Sequence, residues 1–262
     1  MVRPIWTSGP RTITLVRHGE SIGNQADEAA RHAEAEQLDL DERDADVELS
    51  ATGREQADAV AAWMKEADAA LLPGVVLSSP YRRAAETAQR ATQGHGLEVV
   101  LDERLRERDL GVFDGLTGLG IRSRYPDEAA RRQKLGKFYY QPPCGESWAD
   151  VVLRVRCLLD DLRHGYDDQH VWMFTHQAVI MSFRYALEGL DEEALLDVDR
   201  EVRIPNASFT RFRRASVRGA GRDGRDAAVF ELDTFADTTA VDRSDAERTH
   251  EDSQRGRGDD NG

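Results

Sequence analysis

Arg17-His18-Gly19 sets a guanidinium and an imidazole side by side, directly after the apolar run Ile13-Thr14-Leu15-Val16. The run reads as a β-strand buried on both faces. The two side chains therefore emerge at the strand's carboxyl end, where open α/β sheets bind their ligands. Gly19 lets the backbone come close to such a ligand, and Ser21 and Asn24 add neutral donors suited to phosphoryl oxygens. The chemistry this points to is the holding of a phosphoryl group.

Three other segments carry groups of the same kind. In Ser78-Ser79-Pro80-Tyr81-Arg82-Arg83, Arg83 brings a fork of donors to a helix start that already favours anions. Taken alone it reads as a surface charge. Glu107, in Leu105-Arg106-Glu107-Arg108-Asp109-Leu110-Gly111, is a carboxyl whose proton could be retained near neutral pH beside a bound phosphate. Taken alone it is one acid among many, with Asp109 as its nearest rival. His176 lies between the strand ending at Phe174 and a helix whose first N–H groups, at Gln177 and Ala178, form an anion site. A structural histidine at a strand end is the other reading.

Taken together and in this order, the four segments resemble the histidine phosphatase superfamily, which includes the cofactor-dependent phosphoglycerate mutases and the fructose-2,6-bisphosphatase domain. The motifs that carry the resemblance are Arg17-His18-Gly19, Ser79-Pro80-Tyr81-Arg82-Arg83-Ala84, Glu107 followed by Gly111-Val112-Phe113-Asp114-Gly115, and Thr175-His176-Gln177-Ala178, within residues 12–213. The resemblance implies a three-layer α/β/α sandwich with a mostly parallel central sheet, as in phosphoglycerate mutase. It implies that His18 becomes phosphorylated, that Arg17, Arg83 and His176 hold the phosphoryl oxygens, and that Glu107 is the proton donor. Ser21, Asn24, Gln177 and Arg82 are then the candidate substrate contacts. No metal and no cofactor is implied, and the partner is a small phosphorylated substrate, with room left for a homodimer.

Mutases of the family carry His-Tyr-Gly-x-Leu-x-Gly-Leu-x-Lys after the donor glutamate. Here Arg108 to Thr117 lacks that Tyr and Lys, which favours hydrolysis of a phosphomonoester over mutase-type transfer. A phospho-ligand binding module without catalysis is the alternative from a different class. Phe138 to Ser147 is similar to the fructose-2,6-bisphosphatase branch, except that Cys144 stands where that branch has Lys before Gly-Glu-Ser. Arg131, Arg132, Lys134 and Lys137 could restore that charge against a second anionic group, or form a solvated helix face.

Elements spanning the whole chain must position these groups. The chain has 262 residues, enough for one large domain, assigned to residues 12–236. No apolar run reaches the ~20 residues of a membrane span. Nothing resembles a signal peptide, and Cys144 and Cys157 make no disulfide framework, so a cytoplasmic location is expected. A net charge of −14 argues against a nucleic-acid partner. Much of that acid lies in 27–48, expected as an exposed insert with a lid over the site as the sharper alternative. Helices are expected at 54–69, 81–92, 146–162 and 178–187, and further strands at 75–78, 97–101, 171–174, 209–217 and 229–235. Residues 1–11 read as a loose extension, 102–145 as an irregular cap or substrate loop, and 237–262 as a disordered tail whose removal costs little.

Overall fold

The computed structural model describes residues 3–219 and 227–250. The apolar runs assemble into one sheet of β1 (Thr12–Arg17), β2 (Val75–Ser78), β3 (Val99–Leu101), β4 (His170–Thr175), β5 (Phe209–Val217) and β6 (Ala227–Asp237). Their order is β3-β2-β4-β1-β5-β6. The first four are mutually parallel, and β5 and β6 are antiparallel additions at one edge.

The helices of the described residues are α1 (Ile22–His32), α2 (Ala51–Glu66), α3 (Arg82–Ala91), α4 (Gly118–Arg124), α5 (Pro126–Leu135), α6 (Trp148–Gly165), α7 (Gln177–Glu188), α8 (Glu192–Glu201) and α9 (Thr239–Asp242), of which α2, α3 and α9 cover one face of the sheet and α6 and α7 the other. Alternation along each strand divides the core between them. Ile13, Leu15, Val171 and Met173 face α6 and α7, where Val151, Val155, Leu158 and Phe183 complete one cluster. Val16, Trp172 and Phe174 face α2, α3 and α9, where Val60, Trp63, Met64 and Ala88 complete the other. The three-layer, mostly parallel α/β/α sandwich is therefore the fold. None of the helices among the described residues is long and apolar enough to cross a membrane.

Four regions depart from expectation. Residues 102–145 are not irregular throughout, because α4 and α5 lie within them; Thr117 caps α4 by accepting from Gly120 N at 3.1 Å, and Pro126 opens α5. The helix α8 is also additional, capped by Asp191 and packed through the buried Leu195. The N-terminal extension is docked: Trp6 is fully buried, exchanges two backbone hydrogen bonds with Ala228, and packs edge-on against Phe230 with ring centroids 4.9 Å apart. The glycine-containing stretch 218–225, which joins β5 to β6 in sequence, falls mostly outside the described residues.

The tail beyond 236 is the largest correction within the described residues. The strand β6 runs to Asp237, and α9 buries Ala240 and Val241 in the cluster around Trp63. Thr249 then exchanges bonds with Asn206, its carbonyl accepting from Asn206 N at 2.9 Å. Its hydroxyl also accepts from Gln56 Nε2 at 2.8 Å. Two small apolar side chains and backbone pairing suffice to order a segment whose composition is polar; residues 251–262 lie outside the described residues. Deleting everything from Thr238 onward should therefore cost about 2 kcal/mol of buried apolar contact and lower Tm by roughly 4–8 °C. Calorimetry of the truncated protein checks this, and an unchanged Tm would contradict it.

Candidate active site

Parallel register does most of the positioning. Arg17 pairs with Thr175 across β1 and β4, and the chain continues as His18 N donates to Thr175 O at 2.9 Å. His18 and His176 thus leave neighbouring strands side by side, with ring centroids 5.0 Å apart. Beyond β2, Ser79 N donates to Phe174 O at 2.9 Å, and Ser79 Oγ lies 2.9 Å from His176 Nε2. Thr175 Oγ1 donates to Leu105 O at 2.8 Å, anchoring the turn that delivers Glu107. Every motif sits at the carboxyl ends of the parallel strands, as such sheets dictate.

The state of His18 follows from its neighbours. Nδ1 lies 2.7 Å from Gly19 O. A carbonyl oxygen only accepts, so Nδ1 carries the proton and Nε2 keeps its lone pair. Burial, then the guanidinium groups of Arg83 and Arg17, hold the ring's pKa well below the ordinary histidine value, against the opposing pull of the Gly19 bond. His176 is depressed likewise, by burial first and then by Arg83, His18, Arg154 and Arg17. Both rings are neutral at neutral pH.

The loop after His18 is pressed against the start of α2. A Cβ on Gly19 would lie 2.4 Å from Gly53 O, and one on Gly53 would lie 1.9 Å from Glu20 O, so both positions require glycine. Gly19 N donates to Thr87 Oγ1 at 3.0 Å, which ties the loop to α3 one turn beyond Arg83.

Six of the expected residues line one cavity of about 450 Å³: His18, Ser21, Asn24, Arg83, Glu107 and Gln177. Arg17 and His176 are fully buried and stand behind that lining; Arg17 Nη1 donates to Ile204 O. Ser21 caps α1, its hydroxyl accepting from Asn24 N at 3.1 Å while its own N–H donates to Asn24 Oδ1 at 3.0 Å. Arg82 is the correction. Its side chain is 57% exposed, pairs with Glu48 at 2.7 Å and takes no part in the lining. One step along α3 turns it about 100° away from the pocket that Arg83 faces.

Glu107 is held at both ends: its Oε1 accepts from Arg108 N at 2.7 Å, and its backbone is braced from α6. Arg154 on α6 donates from Nη2 to Glu107 O at 3.2 Å, from Nη1 to Arg104 O at 2.6 Å, and from Nε to Glu146 Oε1 at 3.0 Å. Glu146 also accepts from Asp109 N at 3.1 Å and from Arg106 at 2.5 Å. Asp109, the rival acid, lines the cavity too, but its Oδ1 closes a turn by accepting from Gly111 N at 2.7 Å.

Sequence reasoning missed several supporting residues. Arg154 had a visible signal, a charge set among Val151, Val155 and Leu158 on a helix that buries them. Asn206 donates from Nδ2 to His18 O at 3.0 Å, a contact across 188 positions that no local pattern marks. Tyr81 sits under the Arg83 guanidinium, 5.2 Å from the ring centroid, and burial foremost pushes its hydroxyl up to about 12.

The basic cluster of the cap divides in two. Arg132 and Lys137 line the cavity, and Lys137 Nζ pairs with the buried Asp199 of α8 at 2.6 Å. Arg131 is 63% exposed and lies 3.9 Å from Glu128, and neither it nor Lys134 is in the lining. Residues 37, 38, 40, 42–45 and 47 form a wall of the cavity, so the acidic segment takes the lid position. No cluster of three or more His, Cys, Asp or Glu among the described residues is placed to hold a metal ion.

The profile of the histidine phosphatase superfamily (branch 1) matches residues 13–221. The bifunctional protein Rv2228c of Mycobacterium tuberculosis is 32% identical over 190 residues, 71% of this chain and 48% of that protein. A 6-phosphofructo-2-kinase/fructose-2,6-bisphosphatase of Gallus gallus is 33% identical over 186 residues, 70% of this chain and 34% of that protein. The chain thus spans less than half the length of these curated relatives. The structure of a mycobacterial glucosyl-3-phosphoglycerate phosphatase with inorganic phosphate is similar with a TM-score of 0.65 at 27% identity, covering 88% of this chain and 99% of that one.

The depressed histidines make stability depend on pH. The unfolded chain takes up protons at the ordinary imidazole value while the folded site refuses them, so unfolding binds protons below about pH 6.5. Stability should be full above that value and fall below it, with a slope approaching about 1.4 kcal/mol per pH unit for each of the two rings. Urea unfolding between about pH 7.5 and 5 should show this decline, and His18→Gln should roughly halve its slope, leaving the His176 contribution. A midpoint independent of pH over that window would contradict the buried neutral pair.

Proposed function

The chain belongs to branch 1 of the histidine phosphatase superfamily, and on that premise we propose that it hydrolyses a small phosphomonoester through a phosphohistidine intermediate. The observation that carries this reading is the neutral His18, its proton on Nδ1 and its Nε2 lone pair at the edge of a cavity that also holds Arg83 and Glu107. The named activities of its relatives, hydrolysis of glucosyl-3-phosphoglycerate and of fructose 2,6-bisphosphate, support a phosphorylated metabolite as substrate.

In the first step His18 Nε2 attacks phosphorus and the ester P–O bond breaks. Glu107 gives its proton to the departing alkoxide, which leaves as the alcohol. In the second step Glu107, now a carboxylate, takes a proton from water as that water attacks phosphorus. The P–N bond breaks, inorganic phosphate leaves, and His18 returns to its neutral form. Arg83, with Arg17 and His176 behind it, faces the charge on the equatorial oxygens, and fixed donors of this kind need no reorganisation during reaction.

His18→Ala should lower turnover of an aryl phosphate by roughly a thousandfold or more, since no other side chain supplies the attacking nitrogen. Acid-labile phosphate found by mass spectrometry on His18 of the native protein checks the intermediate. Activity of the variant near that of the native protein would overturn the mechanism. Glu107→Gln should slow alkyl phosphates far more than activated aryl phosphates, because only poor leaving groups need the proton. Equal losses across leaving-group pKa would reduce Glu107 to a binding role and turn attention to Asp109.

A further inference from the structure

In this fold the fork of Arg83 is already held by an acid. Asp44, in the short turn Asp44–Asp46, receives Arg83 Nη1 on its backbone carbonyl at 2.5 Å, and its carboxylate lies 3.0 Å from Nη1 and 3.3 Å from Nη2. The two partners differ in freedom. Arg83's side chain is only 6% exposed, whereas Asp44's is 41% exposed. The arginine is fixed in the site, and the aspartate can swing into water.

The segment around Asp44 is pinned at both ends. On one side Leu38 N donates to Gly115 O at 2.9 Å and Thr117 N donates to Glu36 O at 3.1 Å. On the other, Ile22 N donates to Glu48 O at 3.0 Å, and the Glu48 carboxylate pairs with Arg54 and Arg82 at 3.0 and 2.7 Å. Residues 39–47 run between these anchors, with Val47 buried at the far end, and Arg83 holds them at mid-span.

We propose that Asp44 is a built-in competitor for the phosphoryl site, which keeps Arg83 occupied until the incoming phosphate displaces it and lifts residues 39–47. A carboxylate and a phosphate dianion sharing one guanidinium repel each other strongly at such short range. Binding therefore selects the released state, and the apparent affinity is reduced by the fraction of molecules released beforehand. Arg82, although outside the site, joins Arg54 in fixing the far anchor of the lid through Glu48. This competition rests on Arg83 being the phosphate ligand of the reading above, but not on turnover.

The test uses inorganic phosphate as the probe, titrated calorimetrically into the full-length protein. Asp44→Asn should bind phosphate about tenfold more tightly than the native protein, the worth of a charged hydrogen-bonded pair. Glu28→Gln, which removes the same charge from an exposed position of the same acidic region, should change affinity less than about twofold. In the native protein, saturating phosphate should also speed amide exchange across 39–47, including Asp46 N, which donates to Arg43 O at 2.8 Å. Phosphate binding to Asp44→Asn as weak as to the native protein, or weaker, would overturn the proposal, as would exchange that phosphate leaves unmoved or slows. Tighter phosphate binding by Asp44→Asn without any hydrolysis of aryl phosphate would instead uphold this inference and defeat the phosphatase reading.

Discussion

The hydrogen bond from His18 Nδ1 to the carbonyl of Gly19 is the constraint around which the site is organised. It assigns the ring proton to one nitrogen and so leaves the other nucleophilic. The bond is dependable only because the ring cannot move or ionise. Burial removes water as a competing partner, and the guanidinium groups of Arg17 and Arg83 oppose a third charge between them. The loop in turn is held by the β1–β4 register, by Thr87 against Gly19 N, by Asn206 against His18 O, and by the glycine pair that admits α2. Sheet, helix and C-terminal segment all converge on one imidazole.

The charge balance of the chain makes sense on the same local scale. A net charge of −14 is a poor guide to a pocket where Arg83, Arg108, Arg132 and Lys137 share the lining with Glu107, Asp109 and Asp199. What matters is how each charge is matched and whether its partner can leave. Glu146 cannot: only 14% exposed, it is bonded to Arg106, Arg154 and the Asp109 amide, and it braces the Glu107 turn. Asp44 can, because its far side faces water.

The legible part of this molecule is what neighbours in sequence decide. Apolar runs such as Val75–Ser78 announce their strands, and the strand–turn–helix junctions place His18, Arg83 and His176 at the carboxyl end of the sheet. Partners supplied by distant chain are not legible. Asn206 meets His18 across 188 positions, and Lys137 finds Asp199 on a helix that the pattern does not announce. The tail departs from expectation for the opposite reason, since Val241 and Ala240 are too few to signal a core and are buried by one already built. Arg82 and Arg83 are separable only by the motif's spacing, and the helix then turns Arg82 away to Glu48.

Nitrogen-15 NMR of the histidine rings addresses the central claim most directly. In protein selectively labelled at histidine, long-range correlation spectra distinguish a pyridine-type nitrogen from one that bears hydrogen. Near pH 6.5, where an ordinary imidazole is about half protonated, His18 should be wholly neutral, with hydrogen on Nδ1 and a bare Nε2. His18→Gln assigns the signal by its disappearance. A ring half protonated at that pH, or a neutral ring with hydrogen on Nε2, would contradict the account, because the proposed nucleophile would then not be prepared by the fold.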